Sequence, residues 1–365
     1  MSKSFCYLFI LSLIISSCTK NQNSQFNSDF TIKYIDKVSI PNDQLIDSTL
    51  IGGLSSIDYL EGNKFVVISD DRSEFSPARI YEVQIDFDSS GITDFIFNKT
   101  TLLKNKDSLS FKENEMDPES IRYRKSTDTY FYTSEGGRTE DWIDPFIWEI
   151  NRSGEFISEV EVPDIFQFSD ETGLRVNGGF ESLSFENDTI IWYANELPLK
   201  EDGEVASFEA GDFPVRLVRH DIKNNNVLNQ YAYKISHLNE KPIPEDGFFI
   251  NSVPEILFID DNRLWVMERS YTKGIGNFVK LFEINLDNAT DIMEIKALAE
   301  ADYKAVSKNM ILDFSDYNHK IDNIEGMTFG PDFPDGSKSL IFISDDNFNK
   351  EQETQLWLFS VKGLN

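Results

Sequence analysis

Carboxylates recur at one position of a repeated segment, and they are the side chains of this chain best suited to chemistry. Five segments align, at residues 52–59 (GGLSSIDY), 116–123 (MDPESIRY), 178–185 (GGFESLSF), 252–258 (SVPEILF) and 323–329 (NIEGMTF). Their shared position holds Ser55, Glu119, Glu181, Glu255 and Glu325, at spacings of 64, 62, 74 and 70 residues. Four glutamates brought together by a repeat could hold a hard cation or transfer protons.

Thiol and imidazole chemistry is nearly absent from the sequence. Both cysteines lie within the first eighteen residues, and the three histidines form no HxH or HExxH pair. The body of the chain therefore lacks disulfides, thiolate nucleophiles and zinc sites built from Cys and His. The GxSxG motif of serine hydrolases does not occur either. Any catalysis must use carboxylates, hydroxyls, arginines or a hard metal ion.

The composition excludes some classes of partner. The chain has 63 Asp and Glu against 34 Lys and Arg, a formal net charge of −29. Nucleic acid is not an expected partner, because affinity for its phosphates depends on a basic surface. The same charge disfavours electrostatic docking on anionic lipid. The 30 phenylalanines and the hydrophobic content of 40% indicate a folded chain with a substantial core, which we expect to be monomeric.

The N-terminal residues indicate export. A short basic start precedes an apolar run at residues 5–15 that is too short to span a bilayer as a mature helix. Cys18 follows two serines, as in a bacterial lipobox, where the cysteine is lipidated and becomes the new N-terminus. The alternative is an ordinary signal peptide with a coincidental cysteine. We predict a signal peptide over residues 1–17, lipidated Cys18 with a tether over 18–29, and one domain over 30–365.

This anchor predicts the location of the protein. We expect a lipoprotein held in the bilayer of the bacterial cell envelope through Cys18. Lys20 stands close to the anchor, and no aspartate of the kind that retains many lipoproteins at the inner membrane is next to the cysteine. The outer membrane or a periplasm-facing position is therefore favoured.

Strand-like runs follow each aligned segment and predict the fold. A polar turn, a β-branched or aromatic run and a third, alternating run recur in every unit, as at residues 65–69 and 79–83. Repeated four-stranded units without helical spacers are typical of a β-propeller, and an unrelated all-β sandwich is the alternative. We expect five or six blades, because residues 138–177 or 288–320 could hide a degenerate sixth. Residues 31–38 would supply the fourth strand of the last blade and close the ring.

This fold brings many carboxylates to one mouth. In a propeller blade the start of the first strand and the end of the second lie at the same face. Eleven carboxylates occupy those positions: Asp70, Asp71, Glu119, Glu135, Glu181, Glu196, Glu255, Glu268, Glu325, Asp345 and Asp346. We predict calcium as the cofactor, with no organic cofactor, and its ligands as Glu119, Glu181, Glu255, Glu325, Asp345 and Asp346. The alternative is that these acids fix blade register by accepting hydrogen bonds.

Candidate catalytic and substrate-binding groups lie at the same predicted mouth. Glu119 and Glu325 are candidate catalytic residues, and His319 is a candidate general acid or base. Arg72 and Arg269 are candidate substrate-binding residues, since a guanidinium group can hold an anionic group through paired hydrogen bonds.

Several motifs together resemble those of the phytase-like family, described as having esterase-like activity of phytase. They are residues 52–55 (GGLS), 117–120 (DPES), 179–183 (GFESL), 323–327 (NIEGM), 344–348 (SDDNF) and 354–356 (TQL). The resemblance extends over residues 50–361 and implies a β-propeller and an ester or phosphoester hydrolase. Alkaline phytases are calcium-dependent propellers, but this sequence shows no dense Lys/Arg pocket for a polyphosphorylated inositol.

The sequence therefore favours an exported, lipid-anchored hydrolase of a small phosphate or carboxylate ester, assisted by a metal ion. Two other functions stay open. One is a non-catalytic envelope module that binds a glycan, peptide or protein. The other is a lactonase-like metal propeller, which would share the cation and open a cyclic ester.

Overall fold

The computed structural model describes residues 30–41 and 44–364. The predicted signal peptide, the lipidation of Cys18 and the tether lie outside the described residues. Among the described residues, no helix is long and apolar enough to cross a membrane.

Five four-stranded antiparallel sheets are formed, as the repeats predicted. Blade one contains β4 (Leu54–Glu61), β5 (Lys64–Ser69), β6 (Arg79–Asp88) and β7 (Gly91–Leu102). Blade two contains β8 (Pro118–Arg124), β9 (Thr129–Ser134), β12 (Phe146–Asn151) and β13 (Phe156–Glu159). Blade three contains β14 (Phe180–Asn187), β15 (Ile190–Asn195), β16 (Pro214–Asp221) and β17 (Asn226–Lys234).

The last two blades complete the propeller. Blade four contains β18 (Phe249–Asp260), β19 (Arg263–Thr272), β20 (Gly276–Asn285) and β21 (Ser307–Asp313). Blade five contains β22 (Asn323–Phe329), β23 (Lys338–Asp345), β24 (Thr354–Lys362) and the N-terminal β1 (Thr31–Ile40). β1 pairs antiparallel with β24, so the prediction that an N-terminal strand closes the ring is confirmed.

Neither stretch that could have hidden a sixth blade contains one. Residues 138–177 carry the short hairpin of β10 (Gly137–Arg138) and β11 (Trp142–Ile143) next to strands of blade two. Residues 288–320 supply β21, the fourth strand of blade four. The remaining short elements are the hairpin of β2 (Leu45–Ile46) with β3 (Thr49–Leu50) and 3₁₀ turns at Asp164–Phe166, Leu298–Glu300 and Phe314–Asp316.

The core lies between the blades. The innermost strands β4, β8, β14, β18 and β22 contact one another in that order and close the ring. A hydrophobic cluster fills each of the five interfaces between neighbouring blades. Alternate residues of a strand point to opposite faces, so Trp192 packs towards blade four while Tyr193 packs towards blade two. Each blade is thereby buried on both faces, which explains the aromatic content of the sequence.

A buried ion pair blocks the central channel. An Arg122 nitrogen lies 2.6 Å from Glu255 Oε2, and both side chains are almost fully buried. Glu255 also accepts hydrogen bonds from Ser56 Oγ and Leu183 N, while Arg122 donates to the carbonyl of Met327. This pair, which we call the hub, contacts all five blades.

Candidate functional site

Eight carboxylates gather above the hub, at the starts of the first strands and the ends of the second strands. We call this set the mouth cluster: Asp70, Asp117, Glu119, Glu135, Glu181, Glu196, Glu325 and Asp345. Apart from the half-buried Asp70, each exposes less than a tenth of its surface. Three arginines, Arg72, Arg138 and Arg269, face the eight acids. If all eight carboxyl groups were ionised, the three arginines would leave five negative charges uncompensated.

A β-bulge aims the repeated glutamates into the mouth. The innermost strands of all five blades show a register shift where they enter the mouth. In blade three, Phe180 pairs with Asn195 and Ser182 pairs with Ala194, which leaves Glu181 without a cross-strand partner. A bulge of this kind changes the direction of one side chain without interrupting the strand. Glu119 and Glu325 occupy the bulges of blades two and five.

Two groups of three acids within the cluster are tight enough to share a cation. Asp117, Glu119 and Glu135 each present an oxygen within 4.8 Å of the others, and so do Glu135, Glu181 and Glu196. Glu135 belongs to both groups. Its carboxylate accepts a hydrogen bond from the backbone N–H of Gly179, which connects blade two to the start of blade three.

The arginines neutralise only part of this charge. Arg72 pairs with Asp117. Arg269 bridges Glu196 at 3.0 Å and Glu325 at 3.2 Å. Asn323 donates to both Glu325 and Asp345, at 2.9 and 3.1 Å.

Other acids of the cluster lack donors. Within the described part of the chain, the carboxylates of Glu119 and Glu181 accept no hydrogen bond, and Asp117 Oδ1 is buried without a partner. Buried carboxylates are normally stabilised by donors or positive charge. Asp117 has Arg72 and Arg138 at its other oxygen, whereas Glu119 and Glu181 have neither a donor nor an ion pair among the described residues.

The pKa values of the cluster reflect this crowding. Burial, followed by repulsion from Glu181, raises the pKa of Glu119 well above its ordinary value. Burial and the neighbouring Glu196 do the same for Glu181. Burial raises the pKa of Glu325 to about 7, although Arg269 opposes the shift. The cluster therefore favours bound protons or a bound cation over free carboxylates.

The mouth opens into a cavity of about 880 Å³. Its floor contains most of the mouth cluster. Its lining also includes the polar side chains of His319, Asn347 and Asn349 and the side chains of Phe248, Ile250 and Tyr271 from blade four. The volume suits a small organic molecule rather than a lone ion.

The family model for phytase-like proteins, described as esterase-like activity of phytase, matches residues 49–348. That range covers well over half of the 365 residues. The chain belongs to the phytase-like family. No curated protein sequence matches it.

Solved structures resemble this phytase-like chain only distantly. An α-L-arabinofuranosidase from Lactobacillus brevis has 10% identity and a TM-score of 0.46, with 84% of this chain and 91% of the other covered. The α-L-arabinofuranosidase PaAbf62A from Podospora anserina, solved with cellotriose, has 8% identity and a TM-score of 0.43, with 92% and 99% covered. The Dos1 propeller has 9% identity and a TM-score of 0.34, with 84% and 68% covered. Similarity at this level carries no inference about activity.

Most of the residues predicted from the phytase-like sequence come together at the mouth. Glu119, Glu181, Glu325 and Asp345 all line the cavity, as do Arg72 and Arg269. His319 also lines it, but on the outer rim, where its Nε2 lies 2.9 Å from the hydroxyl of Tyr34.

Only Glu119 and Glu181 of the six predicted ligands belong to the two acid groups. Glu325 and Asp345 line the cavity outside both groups, and Glu255 and Asp346 lie outside the mouth cluster. Glu255 pairs with Met267, and the equivalent pair in blade three is Ser182 with Ala194. Since Ser182 follows Glu181, Glu255 lies one residue beyond the position of the other glutamates. A shift of one residue reverses the side of a strand on which a side chain lies, and Glu255 forms the hub instead. Asp346 accepts hydrogen bonds from the backbone N–H groups of Gly53 and Phe348 and fixes the loop after β23.

Four residues of the mouth cluster were not among the predicted ligands: Asp70, Glu135 and Glu196 were predicted at the mouth without a role, and Asp117 was not predicted there. Glu135 and Glu196 follow directly after β9 and β15, and Asp70 follows β5. In blades one, two and three, the residue directly after the second strand is an acid, and this pattern was the signal for Asp70, Glu135 and Glu196. Other acids at strand ends have their own partners, since Asp71 pairs with Arg79 and Glu268 with Lys308.

Proposed function

We propose that this phytase-like protein is an exported, lipid-anchored hydrolase of phosphoric or carboxylic esters that uses a divalent cation, calcium, in its mouth cluster. One observation carries the proposal. Glu119 and Glu181 are at least nine-tenths buried and lack hydrogen-bond donors among the described residues, within a cluster whose acids outnumber its arginines. A bound cation would compensate the charge of such carboxylates when they are ionised.

The residues fit calcium in type and spacing. Oxygens that bind one Ca²⁺ at about 2.4 Å can lie no more than about 4.8 Å apart. Both groups of three acids meet this limit. Asp117, Glu119 and Glu135 would hold one ion, and Glu135, Glu181 and Glu196 would hold another. Calcium rather than a softer metal is proposed because all the donors are carboxylate oxygens.

The side chains around these groups have defined tasks in ester hydrolysis. When bound, a divalent cation supplies Lewis acidity to an ester or phosphoryl oxygen. Arg269, between Glu196 and Glu325, would hold an anionic oxygen of the substrate. Glu325, with its pKa raised to about 7, can release and take up a proton near neutral pH.

The overall reaction is the addition of water across the ester. The oxygen of water forms a bond to the acyl carbon or to phosphorus, and the bond from that atom to the leaving oxygen breaks. Glu325 would take one proton of the water and return it to the leaving oxygen.

Hydrolysis assays with and without the cation test this proposal. Residues 19–365 would be depleted of metal with a chelator and assayed against aryl phosphates, aryl esters and lactones, before and after calcium is added. We expect calcium-dependent hydrolysis of at least one class. Glu119→Gln should reduce both calcium affinity and turnover, whereas Glu161→Gln, an exposed glutamate outside the cavity, should change neither.

The same assays separate the alternatives. Calcium binding without hydrolysis in any class would overturn the enzymatic function in favour of a binding module. Turnover of lactones alone would identify a lactonase. Hydrolysis unchanged by chelation would overturn the role of the metal.

The anchor is a separate part of the proposal and has its own test. Cys18 follows the two serines of a lipobox-like segment. In an expressing bacterium, we expect the full-length protein to fractionate with membranes and to incorporate labelled palmitate, and Cys18→Ala to abolish both. A Cys18→Ala protein that stays in the membrane fraction would contradict lipidation at this residue.

A further inference from the structure

Blade four rises above the mouth on one side of the cavity. In blade three the pairing of the first two strands begins at Phe180 and Asn195. In blade four the corresponding pairing continues outward for four more residue pairs, from Ser252 with Arg269 to Phe249 with Thr272. At 3.4 Å per residue, these pairs add roughly 13 Å of strand. Residues of the extension line one side of the cavity.

The side of this extension that faces the cavity is apolar. Ile250, Tyr271 and Asn277 stand opposite one another on three adjacent strands, so their side chains share one face. Phe248 and Ile275 continue that face at the tip of the blade, and all five residues line the cavity. Phe248 is 61% exposed and Ile275 is 40% exposed. We call Phe248, Ile250, Tyr271 and Ile275 the apolar wall.

The apolar wall begins directly beside the mouth cluster. Arg269 and Tyr271 are two residues apart on β19 and therefore point to the same face. The guanidinium group of Arg269 contacts Glu196 and Glu325, while the ring of Tyr271 lies 6.1 Å from that of Phe248. The step from Arg269 to Tyr271 is about 7 Å along the strand. One molecule can therefore reach both the acids and the wall.

Exposed apolar side chains inside a concave, charged site indicate contact with a ligand. We propose that the apolar wall binds an aryl or acyl group of the substrate, attached within about 7 Å of the ester cleaved at the mouth cluster. The substrate class is then an amphiphilic ester, with its polar end at the acids and its apolar end against blade four. This inference rests on the proposed function and names the substrate of that same site.

A homologous series of esters tests the wall. The purified protein would be assayed with calcium against p-nitrophenyl esters from acetate to octanoate, with phenyl and naphthyl phosphates in parallel. We expect kcat/KM to rise with the length of the acyl chain, by up to about fourfold for each buried methylene. In the double variant Ile250→Ser, Tyr271→Ser, the ratio of kcat/KM for octanoate to that for acetate should fall at least tenfold.

The control is Met310→Ser, which removes an exposed apolar side chain from the same blade but outside the cavity. It should keep the selectivity of the unmodified protein, and thermal unfolding would establish that both variants are folded. A kcat/KM independent of chain length, or an unchanged ratio in the double variant, overturns this inference while the proposed function stands. No hydrolysis of any member of the series overturns the proposed function and this inference with it.

Discussion

Glu135 lies where the two acid groups of the mouth cluster meet. Its oxygens are within 4.8 Å of those of Asp117 and Glu119 on one side and Glu181 and Glu196 on the other. The hydrogen bond from the N–H of Gly179 holds the carboxylate in place. A Cβ at Gly179 would lie 3.0 Å from the Cα of Glu135, so this close approach favours glycine.

This shared position predicts the effect of replacing Glu135. Glu135→Gln would remove one negative ligand from both groups, so we expect calcium affinity to fall by roughly 10- to 100-fold, since ligand charge sets affinity in such sites. Titration calorimetry of metal-free protein would measure it. Glu255→Gln is the matched comparison, because Glu255 is equally buried but lies in the hub. Equal losses in the two variants would contradict the assignment of ligands.

At the scale of residues, the sequence predicts which types of side chain meet but not all of their partners. The repeats predicted Glu119, Glu181 and Glu325 at the mouth. They misplaced Glu255, because the bulge of blade four lies one residue earlier relative to the SVPEILF segment. Adjacent acids such as Asp345 and Asp346 were predicted together, yet only Asp345 joins the cluster. Bulges and loop hydrogen bonds decide these details, and no periodicity reveals them.

At the scale of elements, the hub connects the innermost strands of the propeller. Arg122 contacts Glu255 and the carbonyl of Met327, and Glu255 contacts Ser56 and Leu183. The same strands carry the bulges of the mouth cluster just above. A change in the hub should therefore affect both the stability of the ring and the geometry of the site.

Replacing one partner of the hub should destabilise the folded protein. Arg122→Met would leave Glu255 buried without its positive partner, and we expect the free energy of unfolding at pH 8 to fall by about 3–5 kcal/mol. The double variant Arg122→Met, Glu255→Leu should lose less than the two single variants combined, because it leaves no unpaired charge. Denaturant unfolding of the four proteins would measure this cycle. Additive losses would mean that the pair does not act as a unit.

The strand that closes the ring, β1, should also contribute to stability. Without it, β24 would become an exposed edge that presents unpaired backbone groups. A chain that begins at residue 41 should therefore unfold at a lower temperature than one that begins at residue 30, and it should self-associate. Thermal unfolding and light scattering would measure both effects. Equal melting temperatures would show that β1 does not contribute to closure.

At the scale of the whole molecule, buried acids couple stability to pH. Burial raises the pKa of Glu255 and of Glu325 from 4.5 to about 7, and the pKa values of Glu119, Glu135 and Glu181 also rise. A folded carboxyl group with a raised pKa binds its proton more tightly than the unfolded one. The folded state therefore holds more protons between pH 4.5 and about 7, and its stability falls as the pH rises through that window.

This linkage predicts opposite effects of pH and calcium. Without divalent cations, the melting temperature should be higher at pH 5.5 than at pH 8. Added calcium should raise it more at pH 8, where the ligands are deprotonated. Differential scanning fluorimetry in chelated and calcium-containing buffers would measure both. A metal-free protein that becomes more stable from pH 5.5 to pH 8 would contradict the raised pKa values.

The sequence predicted the architecture of the protein better than it predicted the site. The strand-like run predicted at residues 65–69 lies within β5, and that predicted at 79–83 lies within β6. These runs are rich in β-branched and aromatic residues because both faces of each blade are buried. The number of blades was left between five and six, because long connections such as residues 138–177 look alike in sequence whether or not they fold into a sheet. The contacts that close the ring, between β22 and β4, depend on the whole chain.

The antiparallel pairing of β1 with β24 also determines where the chain enters the propeller. Ile40 pairs with Thr354, beside Asp346 at the mouth, whereas Thr31 pairs with Lys362 at the opposite end of blade five. A lipid on Cys18 would thus be joined to the underside of the disc. The mouth and the point where residue 31 enters the propeller therefore lie at opposite ends of blade five, which keeps the incoming chain away from the opening.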